Sequence, residues 1–238
     1  MTDGFLVSAA KFAGRTGRGV RIAVVDSGIH ASHPHVGGIS DGIAIDDDGQ
    51  ARLGVEDRLG HGTAVAGAIR EKAPDAVLIP VKVFDRSLRT TARALAAAIR
   101  WAADERVAII NLSLGTATPD HAPVLEAVLR DAAAQGAIVV SAAPQHGRAW
   151  LPGALTGVLA VQADWTCPRD ACEVHPQHDG GALIRASAHP RPIPGIPPDL
   201  NFSGPSFAVA NATGLIALAI EGREVRSVED VVRWLGQT

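Results

Sequence analysis

Three side chains able to share one acyl-transfer reaction stand far apart in the chain: Asp26, His61 and Ser206. Ser206 ends the Gly/Pro turn Asn201-Phe202-Ser203-Gly204-Pro205-Ser206, and an apolar, Ala-rich run over residues 207–220 follows it, long enough for a buried helix. A serine in the first turn of such a helix is surrounded by unpaired backbone N–H groups. That setting suits a developing oxyanion, and it equally suits an ordinary helix cap. Asp26 closes the apolar run Val20-Arg21-Ile22-Ala23-Val24-Val25 and opens the turn Asp26-Ser27-Gly28. His61 follows Gly60 and heads the small-residue segment Gly62-Thr63-Ala64-Val65-Ala66-Gly67. A serine hydroxyl needs a base within hydrogen-bond reach, histidine titrates near neutral pH, and a carboxylate can fix its tautomer. Aspartate, histidine, serine is one of the chain orders in which this chemistry occurs.

The elements that must position these groups read as alternating strands and helices. Near-continuous apolar runs at residues 20–26, 77–83, 107–115 and 137–143 suggest parallel strands buried on both faces, with shorter strands at 157–161 and 182–186. Pro80 argues against an unbroken strand in the second of these. Helices are expected over 91–103, 123–134, 207–220 and 228–235, the last with Ser227 and Asp230 spaced as a capping box. Residues 164–181 and the proline-rich stretch 189–199 read as irregular. The acidic cluster Asp46-Asp47-Asp48-Gly49 reads as a solvated hairpin tip in preference to a calcium loop. The pattern predicts an α/β fold with three layers, a mostly parallel central sheet and helices on both faces, in one domain over residues 1–238.

Composition narrows the function. The 238 residues are 47% hydrophobic but only 4% aromatic, with no tyrosine, so the core must be built from Ala, Val, Ile and Leu. A formal net charge of -3 gives no reason to expect a nucleic-acid partner. No signal peptide or membrane-length apolar run is visible, which makes a cytoplasmic location and no membrane partner the expectation.

The motifs Asp26-Ser27-Gly28, His61-Gly62-Thr63-x-Val65-Ala66-Gly67 and Gly204-x-Ser206-x-Ala208 resemble the three signatures of the subtilisin-like serine proteases, the subtilases. The resemblance extends through residues 16–23, Ile29-x-x-x-His33-Pro34, Val81-Lys82-Val83 and Ile110-Asn111-Leu112-Ser113-Leu114-Gly115. It implies a serine endopeptidase with Asp26, His61 and Ser206 as the triad, needing no cofactor. It also implies that Ser113, Leu114 and Gly115 form a substrate edge, faced by residues 87–90 with Ser87 and Arg89, between which a polypeptide lies as an added β-strand. Ala142 and Ala143 would wall the specificity pocket. Trp150 would either fill its floor, leaving room for a small residue, or pack outside it.

The departures from the family pattern carry expectations of their own. Where the family has Gly-Asn, this chain has Pro144-Gln145, so the Gln145 amide is the expected oxyanion donor. Pro205 replaces the usual threonine before the nucleophile. The family's calcium loops have no counterpart, His35 standing at an expected acidic ligand. With 25 residues before Asp26, a family-type prodomain has no room. These features suggest a monomeric processing protease of narrow specificity that removes a leader from a partner polypeptide. The small subunit of a bacterial quinohemoprotein amine dehydrogenase is one substrate of that kind. The alternative is a catalytically weak or inactive binding protein on the same scaffold, favoured by Pro144-Gln145. Arg86, Arg89 and Arg93 would either favour acidic leader residues or form a solvated face. Outside the family pattern, Cys167, Cys172, His175 and His178 could bind zinc, form a disulfide between the cysteines, or remain unlinked.

Overall fold

The computed structural model describes residues 4–144, 149–178 and 180–237. The chain runs β1 (Phe5–Ser8), β2 (Arg21–Asp26), β3 (Ile43–Ile45), β4 (Ala51–Arg52), α1 (His61–Lys72), β5 (Val77–Lys82), α2 (Ala92–Asp104) and β6 (Ile109–Leu112). It continues α3 (Ala122–Ala134), β7 (Ile138–Ala142), β8 (Val158–Asp164), β9 (Ala171–Pro176), β10 (Ala182–Ser187), α4 (Pro205–Ile220) and α5 (Val228–Gly236). The strands form one sheet in the order β1-β9-β10-β8-β7-β6-β2-β5-β3-β4. Every pairing from β10 across to β3 is parallel, and antiparallel strands finish both edges.

Strand alternation divides the core between the two faces. Along β2, Ile22 and Val24 enter one cluster, closed by α1, α4 and α5, while Ala23 and Val25 enter the other, closed by α2 and α3. The predicted three-layer α/β class is therefore the observed one. Helix α4 is buried from Phe207 to its end, as its largely apolar sequence requires. Thr91 caps α2 by accepting from Ala94 N–H, and Ser227 caps α5 by accepting from Asp230 N–H.

Three expectations need correction. Pro80 sits inside an unbroken β5. Leu78 directs its carbonyl to Ser40 N–H, on the β3 side, and the period of two turns the Pro80 nitrogen the same way. It faces Gly42 just before the β3 pairing begins at Ile43, so no ladder donor is lost. Residues 164–181 are not wholly irregular, because β9 pairs antiparallel with both β10 and β1. The zinc and disulfide readings of the same stretch also fall. Both cysteines are free, and among the described residues no group of side chains could hold a metal ion. Cys172 and His175 lie three positions apart on β9 and so face opposite ways. Cys172 is buried in the core, where desolvation pushes its thiol up to about 12, while His175 lies 3.2 Å from Glu173 and His178 is exposed. At the other edge, Asp46 accepts from Asp48 and Gln50 N–H across the β3–β4 tip, the hairpin expected there.

Candidate active site

Asp26 ends β2 and His61 begins α1, and the sheet changes direction of winding beside β2, where a crevice forms at the strand ends. Val83 and Phe84 N–H both donate to the Asp26 carbonyl, which extends the ladder past the strand and holds the turn. A Cβ on Gly62 would collide with the Gly28 carbonyl and lie 3.1 Å from Asp26 Cβ, so only glycine lets α1 start this close to β2. His61 Nδ1 then lies 2.8 and 2.9 Å from the two Asp26 carboxylate oxygens. Asp26 is fully buried and also accepts Ser27 N–H at 2.7 Å. A carboxylate can only accept, so Nδ1 carries the proton and Nε2 is left as the basic nitrogen. Burial opposes the imidazolium, but the Asp26 hydrogen bond and the charges of Asp26 and Asp57 outweigh it, and the His61 pKa is raised.

Asp57 is a residue that sequence reasoning missed. One of its carboxylate oxygens accepts from Ser27 Oγ, Leu59 N–H and Gly60 N–H, and the other from Thr63 N–H and Thr63 Oγ1. Ser27 Oγ in turn accepts Gly62 N–H. One carboxylate thereby ties the Asp26 turn to the first turn of α1 and satisfies N–H groups that the helix cannot. The available signal is an aspartate four residues before His61, at a helix start. Burial opposes ionisation of Asp57, yet these hydrogen bonds hold its carboxyl below the usual range. Asp57→Ala is expected to cost about 1–2 kcal/mol, the scale of a lost helix cap, measured by urea unfolding at neutral pH. The stabilisation is present above the ordinary aspartate range and lost as pH falls through the lowered folded value, so the two proteins should converge in stability in acid.

Ser206 is the second residue of α4, after Pro205, so its N–H has no intrahelical acceptor. Its Oγ donates to the Ser113 carbonyl at 3.1 Å, and Ser113 Oγ donates to the Ser206 carbonyl at 3.2 Å. Behind this exchange, Asn111 Nδ2 donates to Ser113 Oγ and Thr213 Oγ1 donates to Asn111 Oδ1, so a buried polar chain bolts α4 to β6. Among the described residues no hydrogen bond joins Ser206 to His61. The ring of Phe207, the residue after Ser206 in α4, lies 5.7 Å from the His61 ring, and that of Phe202 lies 5.9 Å from it.

Ser113, Leu114 and Gly115 continue from β6, and Thr116 exchanges two backbone hydrogen bonds of 2.8 Å with Leu151. A Cβ on Gly115 would strike Trp150 Nε1 and lie 2.8 Å from its Cδ1. The indole therefore packs against the edge that the resemblance assigns to substrate. Ala142 and Ala143 are buried at the end of β7. Ser87 and Arg89 lie in an exposed loop after β5, lining a cleft with Arg52, Glu56 and Arg58. Gln145 lies outside the described residues.

A buried Asp–His pair at the strand ends and a serine that starts a buried helix are the kinds of groups a serine hydrolase uses. The sequence profile of the subtilase family matches residues 17–164, and the chain belongs to that family of serine endopeptidases. It is 30% identical to Subtilisin BL from Lederbergia lenta over 225 residues, spanning 90% of this chain and 78% of that protein. It is also 30% identical to an intracellular serine protease from Paenibacillus polymyxa over 224 residues, 85% of this chain and 67% of that protein. Against other curated relatives the chain spans between 25% and 78% of their length. Among solved structures, the nisin leader peptidase NisP from Lactococcus lactis superposes with a TM-score of 0.70 at 19% identity, covering 94% of this chain and 83% of that one. Among the described residues no helix is long and apolar enough to cross a membrane.

Proposed function

We propose that Asp26, His61 and Ser206 form the catalytic unit of this endopeptidase and that it acts as a narrow-specificity processing protease. The carrying observation is the buried, two-oxygen contact between Asp26 and His61 Nδ1, which leaves Nε2 free as a base. Rotation about the Ser206 side-chain bond exchanges the Ser113 carbonyl for His61 Nε2. The hydroxyl attacks the scissile carbonyl carbon as its proton passes to Nε2, and Asp26 stabilises the resulting imidazolium. The oxyanion meets Ser206 N–H at the positive end of α4, and the Gln145 amide is the expected second donor. His61 then protonates the leaving amine, the peptide bond breaks, and water removes the acyl group by the same path. The substrate pairs along Ser113-Leu114-Gly115 as an added strand.

The scaffold-only reading draws on one observation, the Ser206 hydroxyl engaged with Ser113 instead of His61. A fluorophosphonate probe separates the two: the endopeptidase reading expects labelling of the native protein and none of Ser206→Ala. An unlabelled native protein would support the scaffold.

With Trp150 packed against Gly115, a shallow pocket is expected, so cleavage after Ala or Gly should exceed cleavage after Phe by about 10- to 100-fold in kcat/KM. Trp150→Ala should reverse that order on paired peptides; an unchanged order would place the pocket elsewhere. Narrow selection of this kind suits leader removal from a partner polypeptide, and a fold neighbour that is itself a leader peptidase is in keeping with it. A monomer in the cytoplasm completes the reading, and a relative that is an intracellular protease is consistent with that location.

A further inference from the structure

A groove of about 490 Å³ opens beside Gly60 and Thr63, at the start of α1. Ile193, Ile196, Leu200 and Phe202, from the segment between β10 and α4, line it, and the loop after β2 contributes His30, His33 and His35. Phe202 belongs to this groove and also meets the His61 ring at 5.9 Å, so the groove is continuous with the reacting centre. Among the described residues, none of its lining comes from 113–115, 142–144 or 149–151, segments that hold the acyl side of the substrate in the proposed mechanism. The groove therefore leaves the centre by another side.

Its wall is unusual for a protein surface. Ile193, Ile196, Leu200 and Phe202 are 39%, 46%, 74% and 43% exposed, four large apolar groups within ten residues. Clustered exposed apolar groups mark a binding surface, whereas single ones need no explanation. Pro190, Pro192, Pro194, Pro197 and Pro198 fix φ along the same loop, so the wall is held in place before anything binds. The one carboxylate among the described lining residues, Asp57, is consumed by its hydrogen bonds to Ser27, Leu59, Gly60 and Thr63. An apolar side chain entering here meets no unpaired carboxylate.

We infer that this groove holds the part of the polypeptide substrate that follows the scissile bond, and that it selects a large apolar side chain there. The inference rests on the proposed endopeptidase reading and adds to it a requirement on the leaving side. A substrate strand passing the reacting centre must continue beyond His61, and the apolar wall begins at that contact.

The test uses Ser206→Ala protein and fluorescein-labelled decapeptides with alanine before the bond and either leucine or asparagine at each of the four positions after it. At one or more positions the leucine peptide should bind at least ~10-fold more tightly, the scale of one apolar side chain in a pocket. Adding Ile196→Asn and Leu200→Asn should abolish that preference without altering the thermal melt, and Leu200→Met should retain it. Equal affinity for leucine and asparagine peptides at all four positions would overturn the inference, as would a preference that survives the double change. A concentration-dependent dimer that the double change dissolves would assign the patch to a second copy of the chain and overturn it as well. Because the readout is binding, loss of the catalytic reading shows separately, as failure of the native protein to react with a fluorophosphonate.

Discussion

Replacing Ser206 with alanine is expected to lower kcat/KM by about a million-fold, the scale on which such triads lose activity without their nucleophile. The change removes one hydrogen bond, from Ser206 Oγ to the Ser113 carbonyl. It leaves Ser113 Oγ on the Ser206 carbonyl and the Asn111–Thr213 link behind it. Stability should therefore fall by only about 1 kcal/mol, a shift of roughly 2–4 °C in Tm for a chain of this size. The pairing of a very large kinetic loss with a small thermal one is what identifies a nucleophile. A Ser206→Ala protein that still turns over peptide, or one that unfolds, would remove the serine from that role. Single-turnover kinetics on a peptide ending its acyl side in alanine, beside a thermal melt, reads both.

Asp26→Asn is expected to lower kcat by about ten-thousand-fold with little loss of structure. An amide presents N–H where Asp26 now offers only acceptor oxygens, so Nδ1 can no longer hold its proton against both of them and the wrong tautomer is favoured. The pH profile tests the cause. Activity needs neutral His61, so the rate is lost as pH falls through the His61 pKa. In the native protein that pKa is raised: burial lowers it, but the Asp26 hydrogen bond and charge, with Asp57, outweigh burial. The acid limb of kcat/KM should accordingly lie above the ordinary imidazole range. In Asp26→Asn the raising contributions from residue 26 vanish while burial remains, so the limb should move to lower pH. Removing Asp57 should move it the same way by less, since Asp57 acts on His61 only through charge. An acid limb that does not move in Asp26→Asn would mean that Asp26 does not govern His61.

Much of this site is legible in the sequence because each candidate sits where a local pattern changes. Asp26 ends an apolar run, His61 starts a run of small residues, and Ser206 follows a Gly/Pro turn into a helix. The ends of such elements lie near one edge of a parallel sheet, so three ends imply one neighbourhood. Pro80 misleads because its rule concerns a missing donor, and whether a donor is needed depends on which neighbour that residue faces. Strand β9 escapes a reading of its own residues because its partners β1 and β10 complete it from elsewhere in the chain. The cysteine–histidine cluster misleads because spacing along a chain says little until a period is known. As a strand, it turns Cys172 inward and His175 the other way.

Fold class, family and the three residues proposed for the chemistry follow from the chain's own patterns, because strand periodicity, helix starts and short motifs are local and survive without neighbours. Tertiary contacts were needed to establish that Asp57 ties the Asp26 turn to the His61 helix and that Trp150 lies against Gly115. They were needed equally to place the Ser206 hydroxyl on the Ser113 carbonyl and an apolar wall beside His61. Each of these depends on which of several satisfiable hydrogen bonds or packings wins. That choice is made by groups brought together from distant parts of the chain.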